Sequence, residues 1–203
     1  MATAFTDEEK GVIRNKLHKV AKECLQRYGA RKTTVDQMVA MADISKGYFY
    51  NFYSSKEMLF FTVLEEYQID TMNRLTEQLA QASQIGTEQF ARLLYDFYQD
   101  FRYSFVYTIF KNHEMELLIR KLPKEVITNH RLIDDRMAEK VVSRINIKET
   151  ISVEIVSALF RTIAMSILHI EEIGEKQFDT ILKLLIQGIV EQITKEDNGE
   201  RSN

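Results

Sequence analysis

Apolar residues recur at three- and four-residue spacing along most of the chain, which is the period of amphipathic helices rather than of strands. Ile13, Leu17, Val20, Ala21, Cys24, Leu25 and Tyr28 mark one face of a first helix, and Gly29 follows where a left-handed stop is wanted. Thr34 with Gln37 three residues later fits a capping box that opens a short apolar helix from Val35 to Ala42. Asp43 supplies a turn residue that tolerates positive φ, and Ser45 can accept a hydrogen bond from the amides of a third helix running to Asn51. Ser54 with Glu57 reads as a second capping box, for a long fourth helix whose phase is kept by Phe61, Leu64, Met72, Leu75 and Leu79. Beyond Gly86 the helical pattern continues, with breaks near Asn112, Pro123, Asn146 and Gly174. Two closing segments, about 149–172 and 175–195, are apolar over so wide an arc that they are either central or shared with another chain. The expected fold is all-α: a three-helix helix-turn-helix head over 1–53, a larger helical body over 54–195 and a polar tail over 196–203.

Composition narrows this further. With one proline and seven glycines in 203 residues, short connections and almost no strand are expected. Cys24, at an apolar helical position, has no partner for a disulfide or a thiolate metal site. The longest unbroken apolar run is Met38 to Ala42, and the amino terminus carries no apolar leader, so the chain is expected to stay in the cytoplasm and away from membranes. The net charge of -3 hides an asymmetry: residues 1–60 carry ten Lys and Arg against seven Asp and Glu, and the remainder is acidic. A mildly basic head on an acidic body points the head, and not the body, at an anion.

The stretch "SKGYFYNFYSSK", residues 45–56, sharpens that reading. Its aromatic residues are too crowded for one core face, and no acid lies between Asp43 and Glu57, which suits a polyanion. Ser45 and Lys56, each at a helix start, are candidates for phosphate. Gly47 inside a helix costs about 1 kcal/mol relative to alanine, so close approach of another backbone is expected there. Tyr48 and Tyr50 lie about 200° apart on the helix, so one can meet bases while the other meets a phosphate. The longer segment "TTVDQMVAMADISKGYFYNFYSSKEMLF", Thr33 to Phe60, resembles the amino-terminal signature of the TetR family of bacterial transcriptional repressors. The resemblance covers roughly residues 10–62. It implies an all-helical homodimer with a DNA-binding head, a ligand-binding body and two closing helices that form a four-helix dimer interface. By position it makes Thr34, Ser45, Tyr50 and Lys56 phosphate contacts, and it turns Lys46, Gly47, Tyr48 and Asn51 toward the groove. Two positions depart from the family pattern: Asp43 stands at a turn position that is usually glycine, and Tyr50-Asn51-Phe52-Tyr53 replaces a Tyr-x-His-Phe ending.

In the body, a run of aromatic residues from Tyr95 to Phe110 suggests a ligand cavity, with Tyr95, Tyr98, Phe101, Phe105, Tyr107 and His113 as candidate lining. The absence of a Lys or Arg cluster there favours an apolar or cationic effector. Leu159, Ile163, Ile167, Leu185 and Ile189 are the candidate dimer face. No metal or cofactor is expected, because the positions three residues before His113, His130 and His169 hold Phe110, Ile127 and Ser166 rather than glutamate. No nucleophile motif or glycine-rich phosphate loop supports an enzyme. The most consistent function is a ligand-responsive regulator that binds a near-palindromic double-stranded operator and is released by a small molecule. The competing reading is an all-α protein-interaction module whose basic head lacks operator specificity.

Overall fold

A computed structural model describes residues 6–81 and 86–195, the side chains of 131–135 and 137–138 excepted. The expected polar tail, 196–203, lies outside these residues. The described chain is helical throughout: α1 (Asp7–Lys32), α2 (Val35–Ala42), α3 (Lys46–Phe52), α4 (Lys56–Ala80), α5 (Thr87–Arg102), α6 (Phe105–Lys111), α7 (Met115–Ile119), α8 (Lys124–Val142), α9 (Val153–Leu168), α10 (Ile170–Ile173) and α11 (Phe178–Ile193). Among the described residues β pairing is confined to one isolated antiparallel bridge, Ile147 with Thr194. None of the described helices is long and apolar enough to cross a membrane.

The chain divides into two compact units. Met1–Gln68 joins Ser104–Thr128, and Ile69–Tyr103 joins Asn129–Asn203. In the first unit, Leu17, Ala21, Cys24 and Leu25 of α1 are fully buried, together with Met38, Phe49, Leu59, Phe60 and Ile109. This burial of one stripe per helix is what the three- and four-residue spacing dictates. Phe49 and Leu59 thus belong to the core of the head. Thr6 and Glu9 open α1 with a reciprocal capping box. Thr34 Oγ1 accepts from the Gln37 amide at 3.2 Å and opens α2, whose bounds match the sequence pattern. The cap of α4 corrects the sequence reading by one residue. Ser55 Oγ, and not Ser54, accepts from the Met58 amide at 3.1 Å. Glu57 instead turns inward and takes Lys121 Nζ at 2.7 Å.

Gly29 interrupts α1 with φ 73° and ψ 175°. The two amides that follow the interruption, those of Ala30 and Arg31, donate to the carboxylate of buried Glu114 at 2.6 and 3.0 Å. Lys56 Nζ closes the other side of this corner by donating to the carbonyls of Ala30 and Thr33 at 2.9 and 2.6 Å. A break in a buried helix would otherwise strand polar backbone groups, and here each of the named ones has a partner.

His18 is buried between Tyr53, whose hydroxyl hydrogen-bonds Nε2, and Glu66, whose carboxylate lies 2.9 Å from Nδ1. Burial pulls the pKa of His18 below its ordinary value, with Lys22 and Arg14 adding to the shift and Glu66 opposing it. The unfolded chain therefore takes up this proton at a higher pH than the folded one. Stability is expected to be complete above about pH 6.5 and to fall as the pH drops toward the lowered folded value, by at most about 1.4 kcal/mol per pH unit. Urea unfolding at pH 7.5 and pH 5.5 measures this loss, which should shrink in His18→Gln; an identical loss in that variant would place its source elsewhere.

In the second unit α11 packs against α5 and α9. Ile163 and Ile167 of α9 and Phe178, Leu182, Ile186 and Val190 of α11 are buried in its core. Tyr98 of α5 donates its hydroxyl to the Phe160 carbonyl at 2.8 Å, and Arg102 pairs with Asp179 at 2.8 Å. The aromatic run that the sequence presents as one stripe is cut at Tyr103, where Ser104 caps α6 by accepting from the Tyr107 amide at 3.3 Å. Phe105, Tyr107 and His113 consequently belong to the first unit, whereas Tyr95, Tyr98 and Phe101 belong to the second.

Candidate nucleic-acid interface and effector cavity

The turn between α2 and α3 is built by local chemistry. Asp43 is left-handed, at φ 55° and ψ 51°. The Ile44 amide returns to the Val39 carbonyl at 3.1 Å and the Asp43 amide to the Ala40 carbonyl at 3.4 Å, a paired closure of the α2 carbonyls. Ser45 then caps α3, with Oγ accepting from the Tyr48 amide at 3.3 Å. Only Phe49 of α3 is fully buried, and it orients the helix by meeting Tyr50 edge-on and Tyr53 at a tilt, with centroids 5.3 and 6.2 Å away.

That anchor leaves Lys46, Gly47, Tyr50 and Asn51 exposed and Tyr48 half-buried, all on one short helix, with Thr34 and Ser45 exposed at the helix starts beside it. A Cβ at Gly47 would meet only Ser45 Oγ, at 3.9 Å. Nothing inside the molecule therefore requires glycine at this position. Lys46 is not free: its ammonium lies 2.8 and 3.0 Å from the two oxygens of Asp36, whose carboxylate holds its pKa above the ordinary lysine value. Sequence reading saw no acid between Asp43 and Glu57. The fold brings one from α2, a pairing that no local pattern announces.

Lys56 is also engaged, because two of its three N–H groups serve the Ala30 and Thr33 carbonyls. Burial depresses its pKa, with Lys121 adding to the shift while Glu57 and Glu114 oppose it. For Glu57, burial acts upward, but Lys121, its own amide and Lys56 together carry its carboxyl below the usual value. Glu114 and Gly29 shape this corner and went unread as site residues. Gly29 was legible as a stop, whereas a carboxylate 84 positions downstream of Ala30 leaves no local signal.

The second unit contains a cavity of about 270 Å³ between α4, α5, α8 and α9. Leu75, Leu94, Phe97 and Phe160 give it apolar walls, and Tyr98, Ser157 and Arg161 are its polar lining. Of the six expected lining residues only Tyr98 takes part. Burial raises the Tyr98 hydroxyl pKa, and its proton is committed to the Phe160 carbonyl. Tyr95 instead accepts from Gln99 at 2.8 Å and lies under Lys183. No carboxylate is among the described lining residues of this cavity. A neighbouring cavity of about 100 Å³ does hold Asp96 and Asp100, but it is well below the usual ~300 Å³ of a ligand site, and Asp100 pairs with Arg74 at 3.5 Å. Among the described residues no group of three or more His, Cys, Asp or Glu is placed to hold a metal.

Of the expected dimer-face residues, Ile163 and Ile167 are fully buried within the second unit and Leu159, Leu185 and Ile189 are half-buried. The exposed apolar residues of the same helices are Val153, Ile155 and Met165 on α9, with Ile181 and Leu184 on α11.

Residues 17–63 match the family model described as bacterial regulatory proteins, tetR family. No curated protein sequence matches the chain. Among solved structures, the chain is similar to the transcriptional regulator FadR from Bacillus subtilis in complex with stearoyl-CoA, with 13% identity over 87% of this chain and 96% of that one and a TM-score of 0.66. A putative tetR-family regulator from Mesorhizobium loti gives 11% identity, coverage of 94% and 100% and a TM-score of 0.65. An ArpA-like gamma-butyrolactone receptor gives 19%, coverage of 92% and 90% and a TM-score of 0.52. At these identities the structural likeness establishes a shared all-helical fold. Residues 17–63, which hold α2, α3 and the turn between them, thus match the amino-terminal helix-turn-helix segment of the tetR family of bacterial regulatory proteins.

Proposed function

We propose that the protein is a cytoplasmic, ligand-responsive transcriptional repressor that binds a near-palindromic operator as a homodimer and leaves it when a small molecule occupies the second unit. DNA binding falls to residues 1–53, and ligand binding and dimerisation to 54–195. The observation that carries this reading is the α3 face. Lys46, Gly47, Tyr50 and Asn51 stand exposed on a helix fixed from behind by Phe49, in a segment that matches a DNA-binding family. A second helix held in this way enters the major groove with its first residues toward base edges. Gly47, where a Cβ would meet only Ser45 Oγ, lets the groove wall approach. Thr34, Ser45 and Tyr50 border that face and serve the phosphates, and Lys46 joins them once it releases Asp36. Lys56 holds the Gly29 corner and has one N–H left for a phosphate. The effector half of the proposal draws on the cavity, and on two similar structures described as a stearoyl-CoA complex and a gamma-butyrolactone receptor.

Selection of bound fragments from random duplex DNA supplies the operator. Fluorescence anisotropy across a salt series then separates the contacts. Tyr48→Ala is expected to lower the ratio of operator to random-DNA affinity by about 5- to 150-fold, the effect of losing 1 to 3 kcal/mol of base discrimination. Lys46→Ala should weaken both alike. Operator affinity unchanged in both variants would remove α3 from the interface.

A further inference from the structure

The second unit contains a polar pair that its own packing does not use. Ser157 and Arg161 sit one turn apart on α9, about 40° apart around the helix, and both line the 270 Å³ cavity. Every other described lining residue is apolar except Tyr98, whose hydroxyl already donates to the Phe160 carbonyl. Arg161 is exposed and pairs with no carboxylate among the described residues. A guanidinium and a hydroxyl at one edge of an otherwise apolar cavity form a mixed surface: hydrocarbon is rewarded inside it and negative charge at its rim.

We propose that this cavity takes an amphiphilic anion, a short to medium hydrocarbon body ending in a carboxylate or phosphate, with Arg161 pairing with the anionic end and Ser157 donating a hydrogen bond to it. The inference rests on the regulator reading and specifies its effector class. The size follows from the volume: about 270 Å³ lies just under the usual ~300 Å³ lower bound of ligand cavities, which suits a short to medium chain. The charge follows from the lining, which carries one cation and no described acid.

Calorimetric titration of the full chain with hexanoate, octanoate, octyl phosphate, octanol and octylamine tests both halves. Octanoate or octyl phosphate should bind at least about tenfold more tightly than octanol, the worth of one charge-assisted pair at a wet rim, and octylamine should bind least. Hexanoate should bind more weakly than octanoate by about fourfold for each methylene lost from the cavity. Arg161→Gln should abolish the preference for the anion over octanol, Arg161→Lys should retain part of it, and Ser157→Ala should reduce anion affinity alone. Whichever anion binds more tightly identifies the head group. Octanol binding as well as both anions would overturn the proposal, and so would a preference that survives Arg161→Gln or the failure of any probe to bind. Operator affinity is measured on the same preparations. Intact DNA binding without anion binding overturns this inference alone, whereas anion binding by a chain that selects no DNA keeps the cavity assignment and removes the regulator reading.

Discussion

Alanine at position 29 is expected to cost the first unit about 3 kcal/mol or more and to lower operator binding with it. Two separate physical terms converge on this residue. Gly29 has φ 73° and ψ 175°, a region that is essentially reserved for glycine and costs other residues about 1 to 3 kcal/mol. The added Cβ would also stand 2.7 Å from Glu114 Oε2 and 3.0 Å from Oε1. A carboxylate at the end of a glutamate can usually swing aside, but this one is buried and bonds the Ala30 and Arg31 amides. Displacing it leaves two amides without their partner, each worth about 1 to 3 kcal/mol when buried. For a chain of this size the combined loss should lower the melting temperature by about 6 to 12 °C. Glu114→Ala should show a comparable loss without any backbone strain, which separates the two terms. A Gly29→Ala protein that melts within a degree or two of the native one would show that the corner relaxes freely.

Leu184→Arg should convert a dimer into a folded monomer and weaken operator binding by at least about 100-fold, since each subunit then meets only one half-site. Leu184 is 64% exposed, Met165 53% and Ile155 45%, and they sit on the helices whose opposite faces hold Ile163, Ile167, Leu182 and Ile186 in the core. Ile155, Ala158, Thr162 and Met165 follow a spacing of three, four and three along the exposed side of α9, and Ile181, Leu184 and Gly188 do so along α11. That spacing is a seam for helices crossing at a shallow angle. Gly188 has open space where a Cβ would stand, so another backbone can come close. Arginine at an exposed position threatens the dimer and spares the fold. The half-buried Leu185 and Ile189 would confuse the two effects. Sedimentation of the unmutated protein as a stable monomer at micromolar concentration would defeat this expectation, and so would a Leu184→Arg protein that stays dimeric.

The parts of the molecule that were legible beforehand are those decided within one helical turn. The bounds of α2, the caps Thr34 and Ser45 and the left-handed Asp43 follow from residues three or four positions apart, and the structure has them where the pattern put them. The same reasoning chose Ser54 over Ser55, because Glu57 resembles a capping partner and only the fold shows that it is held by Lys121. In the closing helices the apolar arc was visible, but its phase was not. A helix apolar on two sides does not say which side faces its own core, and Ile163 and Ile167 proved to be inside. The cavity was the least legible element. Its walls come from four helices, and Arg161 gains meaning only from the apolar residues that the fold assembles around it.

The Glu114 cap also has a consequence in time. Ala30 and the carboxylate that satisfies its amide are 84 residues apart, and the first compact unit is completed only by residues up to Thr128. At translation rates of about 5 to 20 residues per second, Glu114 is synthesised about 4 to 17 s after Ala30. Throughout that interval the nascent head has its helix-turn-helix sequence but lacks the partner of its broken first helix. Residues 17–63 alone therefore lack the carboxylate that satisfies the Ala30 amide. A ribosome halted between the two positions would hold a helix-turn-helix sequence whose Gly29 corner is unsupported.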